Sequence, residues 1–114
     1  MTSVLVACVL SAFTIIETPT PPLGYTAAYL PATHIIYVLP EYRWDAGVMY
    51  HELGHHVYYQ CDANEHPYWM GKPERFADAW AEHVLGWDVP YYTPSWLDAL
   101  WMDWWMELRS FTWR

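Results

Sequence analysis

The amino-acid sequence predicts a small α+β domain, with β-prone segments in its first third and helices after residue 45. Two runs rich in β-branched and aromatic residues, Tyr25 to Leu30 and His34 to Leu39, are separated by Pro31-Ala32-Thr33 and suggest a hairpin. Three later segments without internal proline carry helical apolar spacing and end signals. The chain has 114 residues, of which 54% are hydrophobic and 16% charged, so we predict one packed domain spanning residues 1–114.

The first element is ambiguous because Val4 to Ile16 is both rich in β-branched residues and long enough for a helix. We predict a helix here, followed by a short strand near Thr14 to Glu17. Prolines at positions 19, 21 and 22 then form a connection within the domain, since proline fits neither a helix interior nor a central strand. Together with the hairpin, the short strand gives a mostly antiparallel three-stranded sheet.

End signals define the three helices. Asp45 is a plausible N-cap for a helix from Ala46 to Tyr59. A second helix starts with Pro73 in its first turn and stops at Gly86. After a loop from Trp87 to Thr93, Ser95 and Asp98 form a capping box for a last helix that ends near Arg109 and contains four tryptophans. This Trp-rich helix covers the core, binds a partner or lies across a cleft; the sequence leaves the three roles open.

Charge and cysteine content limit the partners and the compartment. The formal net charge of −8 at pH 7 repels phosphate backbones, so we expect no nucleic-acid partner. A membrane partner is disfavoured because the apolar run of residues 4–16 is shorter than a spanning helix and the last helix has an acidic polar face. We expect Cys8 and Cys61 to be buried thiols. Residues 1–3 lack a basic signal region, so we predict a cytoplasmic location over secretion. The oligomeric state stays open.

The segment His51-Glu52-Leu53-Gly54-His55 contains the residues that predict a metal-dependent reaction. Two histidines four residues apart lie on one helix face, one turn apart, and can share a metal ion. Glu52 is rotated by about 100° from His51 on a helix and can approach a metal-activated water without being a ligand. We expect Gly54 to permit the close approach of a neighbouring element, such as the helix that supplies the next ligand.

The third ligand is expected from the second helix. A continuation of the motif to a third histidine fails, because the corresponding positions hold Tyr58 and Cys61. Glu74, nineteen residues after His55, can ligate, and Asp78, one turn later, can accept the outer N–H of a zinc-bound histidine. Glu82 is the alternative ligand.

With both motifs present in order, the chain resembles the gluzincin metallopeptidases, which carry His-Glu-x-x-His on one helix and Glu-x-x-x-Asp on the next. The likeness covers roughly Tyr25 to Leu85 and is greatest to the single-domain minigluzincins and the small metallopeptidases of phages and mobile elements. The resemblance implies a zincin-like minimal metallopeptidase fold and a zinc-dependent endopeptidase that hydrolyses peptides or proteins. It also implies that zinc is bound by His51, His55 and Glu74, that Glu52 is the general base acting on the zinc-bound water, and that a substrate strand pairs with Tyr25 to Leu30.

The oxyanion-stabilising residue of the larger relatives cannot be matched in this sequence. The candidates are Tyr58, Tyr59, His66, Tyr68 and His83. His56 points about 100° away from His55 and is a surface or supporting residue. The alternative function is a non-catalytic interaction domain on the same scaffold, binding through the Trp-rich helix. Because ligand histidines must be neutral, we expect zinc occupancy to decline below about pH 6.

Overall fold

The computed structural model describes residues 6–86 and 95–113, which form an α+β arrangement of three helices and two small sheets. Short 3-10 turns connect several of the main elements. In chain order, these elements are β1 (Val6–Leu10), β2 (Thr14–Glu17), β3 (Ala27–Leu30), β4 (Ile35–Val38), α1 (Ala46–Gln60), α2 (Pro73–Leu85), α3 (Trp96–Glu107) and β5 (Arg109–Trp113).

The three-stranded sheet has the order β2-β4-β3 and contains the predicted hairpin. β3 runs antiparallel to β4, with Tyr29 opposite Ile36. β2 runs parallel to β4, with Ile15 also opposite Ile36. The strand expected at residues 14–17 is therefore confirmed, but the sheet is mixed rather than mostly antiparallel. β3 lies at an edge of this sheet.

The helix predicted for the first half of the segment from Val4 to Ile16 is wrong where the structure describes it. Residues 6–10 form β1, which pairs in parallel with β5 in a second, two-stranded sheet. Side chains alternate along β1, with Ala7 and Val9 exposed and Cys8 and Leu10 buried, as expected for a strand with one covered face. The partner strand follows α3, about a hundred positions later, which local periodicity does not reveal.

Cys8 and Cys61 are buried as expected, but they form a disulfide and are not free thiols. Their Cα atoms are 5.3 Å apart, well within the range for a bridge. The bond joins β1 to the C-terminal cap of α1. Fifty-three positions separate the two cysteines, so their proximity depends on the tertiary fold.

Two apolar clusters lie on either side of α1. A small cluster of Ala27, Val38 and Val48 joins the three-stranded sheet to the start of the helix. The larger cluster contains Val57 and residues of β1, α2, α3 and the segment between α1 and α2; its largest fully buried side chains are Trp69, Trp105, Tyr58, Phe76 and Met102. α1 is thus fixed on both sides, and this arrangement gives its motif-bearing face a defined position.

The helix boundaries agree closely with the sequence prediction for α1 and α2. Asp45 caps α1 by accepting from the Val48 N–H at 3.0 Å. Pro73 opens α2, and Gly86 ends it in the left-handed conformation with φ of 78°. The expected close approach at Gly54 is confirmed: a Cβ added there would lie 2.8 Å from the Cα of Ala77 in α2.

α3 begins with the predicted capping box between Ser95 and Asp98, but ends two residues early so that β5 can form. Asp98 is not on an exposed polar face: it is buried and accepts from Arg75 of α2 at 2.7 and 3.2 Å. Met102 and Trp105 are part of the large apolar cluster, so one face of the Trp-rich helix covers the core, which is one of the three roles considered for it. Other apolar residues of the same helix stay exposed, namely Trp96, Leu97 and Trp104.

The loop expected from Trp87 to Thr93 lies outside the described residues. Within the described parts of the chain, none of the helices combines the length and apolar character needed to cross a membrane.

Candidate metal centre

His51 and His55 lie on the same face of α1, as their four-residue spacing predicts. Their ring centroids are 4.8 Å apart, and both residues are buried. The Asp45 cap fixes the start of the helix, and Gly54 lets α2 pack against α1 beside the two histidines. The local sequence therefore sets both the spacing of the imidazoles and the distance to the neighbouring helix.

Glu74, in the first turn of α2, brings its carboxylate between the two imidazoles. Its Oε2 lies 3.0 Å from Nε2 of His51, and its Oε1 lies 3.1 Å from Nε2 of His55. Its side chain is nevertheless 68% exposed. The structure thus brings the three predicted ligands together at a point that solvent can reach. Glu82 lies eight residues further along α2, about 12 Å from Glu74 along the helix axis.

Asp78 holds His51 from the opposite side of the ring. Oδ1 of Asp78 lies 2.5 Å from Nδ1 of His51, and the Asp78 side chain is only 1% exposed. Nδ1–H of His51 donates to this carboxylate, so the lone pair left on the neutral ring is at Nε2, the atom that faces Glu74. This is the contact expected of Asp78 from the sequence.

Glu52 is buried beside this pair of histidines. Its Oε1 lies 3.9 Å from Nε2 of His51, and the donor atoms of His51, Glu52 and His55 all fall within 4.8 Å of one another. Glu74 approaches both imidazoles more closely than Glu52 does. Glu74 is therefore the better placed of the two carboxylates for a third ligand, and Glu52 lies adjacent to it.

The electrostatics of the centre follow from burial and close contacts. Burial alone would lower the pKa of His51, but the hydrogen bonds with Asp78 and Glu74 outweigh it and raise this pKa to about 9. The same contacts with His51 and His55 hold the pKa of Glu74 well below its usual range. Burial raises the pKa of Glu52, although the nearby histidines and a hydrogen bond from the Tyr29 backbone oppose the shift.

The donor set fits zinc. Two imidazole nitrogens and one carboxylate are a common ligand set of catalytic zinc, which keeps a further position for water. The 3.0 and 3.1 Å contacts between Glu74 and the histidines join the same atoms that would bind the ion. Exposure of the Glu74 side chain leaves that side of the centre accessible to solvent.

Open clefts lie on both sides of the centre and share Tyr25, Glu52 and Glu74 in their walls. One has a volume of about 190 Å³ and is closed by Ala28, Pro31, Tyr59 and Pro73. The other has a volume of about 450 Å³ and reaches Gly24 and Thr26. Ala28 and Tyr29 of the edge strand β3, together with the segment just before it, therefore border the candidate centre.

Of the oxyanion candidates, Tyr59 lines a cleft next to the candidate metal-binding residues. The other four candidates make contacts elsewhere. The hydroxyl of Tyr58 donates to the Trp69 carbonyl, and the hydroxyl of Tyr68 donates to Asp98. His66 accepts from the Tyr68 N–H, and His83 pairs with Asp103. Tyr25 is 57% exposed and lines both clefts, whereas the sequence indicated it only as the first residue of the predicted edge strand. Its position just before the edge strand β3 was the feature of the sequence that could have indicated a place in the cleft wall.

No protein family, no curated protein and no solved structure matches this chain. The function is therefore inferred from the geometry of the candidate metal centre and the clefts beside it.

Proposed function

We propose that this chain is a zinc-dependent endopeptidase of the gluzincin type. The single observation that carries the proposal is the convergence of His51, His55 and Glu74, with the Glu74 carboxylate oxygens 3.0 and 3.1 Å from the two Nε2 atoms. A buried carboxylate, Glu52, lies next to this convergence point. A structural zinc site has no use for such a group, whereas a hydrolytic site requires a base beside the open position.

The roles of the residues follow from their surroundings. Zinc, when bound, supplies a Lewis acid and lowers the pKa of water to about 7. Glu52 accepts the proton of the attacking water and later delivers it to the leaving amine, and its raised pKa suits both transfers. Asp78 keeps the proton of His51 on Nδ1, so that the neutral ring presents its lone pair to a metal ion at Nε2.

The proposed substrate is an extended peptide that adds to the outer edge of β3. Among the described residues β3 is an edge strand paired with β4; one cleft is lined by Ala28 and Tyr29 of β3, and the other by residues 24–26 just before it. Main-chain hydrogen bonds to an edge strand bind peptides with little dependence on sequence, and side-chain pockets then add selectivity. This arrangement supports cleavage within a chain rather than at its ends.

The zincin-like fold is part of the same proposal. It is supported by a three-stranded sheet whose edge strand contacts the motif-bearing helix, followed by a helix that supplies Glu74.

The compartment also needs a revised proposal. The cytoplasmic location expected from the sequence is untested, and the Cys8–Cys61 disulfide weighs against it, because disulfides persist mainly in oxidising compartments. We propose that the protein acts where disulfides are maintained.

Comparison of wild type with Glu52→Gln tests the function. We expect both proteins to bind one zinc per chain and only the wild type to cleave a mixed peptide library efficiently, with at least a hundredfold loss in the variant, typical of general-base removal. Glu41→Gln makes the same change at an exposed position and should leave cleavage intact. Equal cleavage by wild type and Glu52→Gln would refute the catalytic assignment.

A second candidate, a non-catalytic interaction domain, is favoured by exposed apolar residues on α3. Trp96 is 77% exposed and Trp104 48% exposed, although both belong to a helix whose other face fills the core. Zinc binding without cleavage by the wild type would favour this alternative.

A further inference from the structure

His56 is fully buried and takes no part in the candidate metal centre, although it follows His55 directly. Its Nε2 lies 2.8 Å from the carbonyl oxygen of Ser11, and its Nδ1 lies 2.6 Å from the hydroxyl of Tyr29. A carbonyl oxygen only accepts, so the proton of the neutral ring is on Nε2 and Nδ1 accepts from Tyr29. Both ring nitrogens are satisfied, and the ring orientation is fixed.

Ser11, whose carbonyl oxygen accepts the hydrogen bond from His56, is itself held by further hydrogen bonds. The Ser11 hydroxyl donates to Gln60 at 2.8 Å and contacts Nδ1 of His34 at 3.1 Å, and Gln60 contacts Nε2 of His34 at 3.2 Å. Gln60 belongs to α1, and His34 precedes β4. These hydrogen bonds fix Ser11, and with it the carbonyl oxygen that His56 contacts, between α1 and the three-stranded sheet.

Tyr29 connects this buried support to the general base. Its hydroxyl binds His56 of α1, and its backbone lies in the wall of the same cleft as Glu52. The Leu39 N–H donates to the Thr26 carbonyl, so by the alternation of an antiparallel ladder the backbone groups of residues 26, 28 and 30 pair with β4, while those of residue 29 face the outer edge of β3. The Tyr29 N–H therefore points towards the cleft that Glu52 also lines, and it opposes the rise in the pKa of that carboxyl.

We propose that Tyr29 and His56 form a positioning pair that fixes the edge strand β3 on α1 and thereby holds the Glu52 carboxylate in place. In the small apolar cluster between the sheet and α1, β3 contributes Ala27, and α1 contributes Val48 with Met49 packed beside it. These side chains can slide past one another, so the buried hydroxyl bond between Tyr29 and His56 sets the register of the two elements. The catalytic consequence rests on the proposed peptidase function. The structural link between Tyr29, His56 and Glu52 does not.

The test uses two variants that each remove one buried tyrosine hydroxyl. Tyr29→Phe breaks the bond to His56, whereas the matched control Tyr58→Phe breaks the bond from α1 to the Trp69 carbonyl in the large core. Backbone amide exchange at residue 29 is measured in the full chain by NMR. We expect at least tenfold faster exchange in Tyr29→Phe and no change in Tyr58→Phe, with zinc affinity retained by both variants. Equal protection of this amide in both variants would overturn the positioning pair.

Kinetics of the zinc-loaded protein separate this proposal from the function itself. We expect kcat of Tyr29→Phe to fall by about tenfold with a smaller change in KM, because a misplaced base slows the chemical step. Tyr58→Phe should keep the wild-type kcat. Peptide cleavage with equal kcat in the two variants overturns the positioning role and leaves the peptidase function standing. A wild type that cleaves no peptide refutes the function, while amide exchange still decides the structural link.

Discussion

At the scale of single residues, the candidate centre depends on how His51 is held. Asp78 contacts Nδ1 from within the fold, and Glu74 contacts Nε2 from the solvent side. The first contact fixes the ring, and the second marks the candidate position of a metal ion. In the proposed zinc site, His51 would use one nitrogen for support and the other for ligation, as zinc-binding histidines commonly do.

Asp78→Asn should weaken zinc binding without abolishing it. The amide has nearly the same shape as the carboxylate but lacks the charge that favours Nδ1–H, so we expect the zinc dissociation constant to rise by about 10- to 100-fold. Competition with a chelator of known affinity measures the change. Asp103→Asn, which alters an exposed partner of His83, is the control and should bind zinc like the wild type. Equal zinc affinity of the two variants would show that Asp78 does not support the centre.

The raised pKa of His51 predicts how the metal-free protein responds to pH. A folded-state pKa of about 9, against about 6.5 in an unfolded chain, stabilises the fold fully below pH 6.5, and this contribution is lost as the pH rises through 9. The shift corresponds to roughly 3 kcal/mol as an upper bound. In a chelating buffer, urea denaturation should therefore show a free energy of unfolding that falls between pH 6.5 and 9.5. A free energy that rises across this interval would contradict the ion pairing of His51.

Zinc binding should show the opposite pH trend, because the ion displaces a proton from His51. The affinity of the protein for zinc is therefore expected to decline as soon as the pH falls below about 9. Histidines with an ordinary pKa would keep their zinc affinity down to about pH 6.

Much of the site was predictable from sequence because its geometry is local. The spacing of His51 and His55 depends only on the helical repeat, and Glu74 and Asp78 are again one turn apart. Tyr29 and His56 were not predictable as a pair, since their contact joins β3 to α1 and leaves no signal in the spacing of either residue.

At the scale of elements, the packing of α2 on α1 brings Glu74 to the histidines. Gly54 is the point of closest approach, with the backbone of Ala77 where a side chain would otherwise lie. The Phe76 and Ala77 side chains on this face of α2 are fully buried. The two helices can approach this closely because glycine has no side chain at position 54.

Gly54→Ala should destabilise the protein. The new Cβ would lie 2.8 Å from the Cα and 2.9 Å from the carbonyl oxygen of Ala77, so the two helices must separate. Overpacking of this kind costs about 1–3 kcal/mol, which exceeds the gain of up to about 1 kcal/mol from the higher helix propensity of alanine. Urea denaturation measures the net change. A more stable Gly54→Ala variant would mean that the helices are not in close contact.

The elements differed in how well the sequence predicted them. α1 and α2 carry their own caps in Asp45, Pro73 and Gly86, and their boundaries were predicted within one residue. β1 was predicted as a helix because an apolar, β-branched run fits either state until its partner is known. β5 was missed for the same reason, since it becomes a strand only by pairing with β1.

At the scale of the whole molecule, the disulfide connects the second sheet to the helix that carries the candidate metal-binding histidines. Cys8 belongs to β1, and Cys61 caps α1 six residues after His55. The parallel pairing of β1 with β5 brings both ends of the described chain to this location. The sequence could not indicate this arrangement, because it joins segments that are distant along the chain.

Cys8→Ser combined with Cys61→Ser should lower stability by up to about 4 kcal/mol, because the bridge closes a long loop of the unfolded chain. Urea denaturation of the metal-free protein under oxidising conditions measures the loss. The wild type in reducing buffer should approach the stability of the double variant. Unchanged stability on substitution would argue that the bridge does not constrain the unfolded chain.

The most direct test of the account is to locate zinc by anomalous diffraction in crystals of the zinc-loaded wild type. We expect one ion within about 2.0–2.2 Å of Nε2 of His51, Nε2 of His55 and a carboxylate oxygen of Glu74, with Glu52 nearby but not coordinating. An ion bound elsewhere, or bound to the histidines with Glu74 turned away, would contradict it.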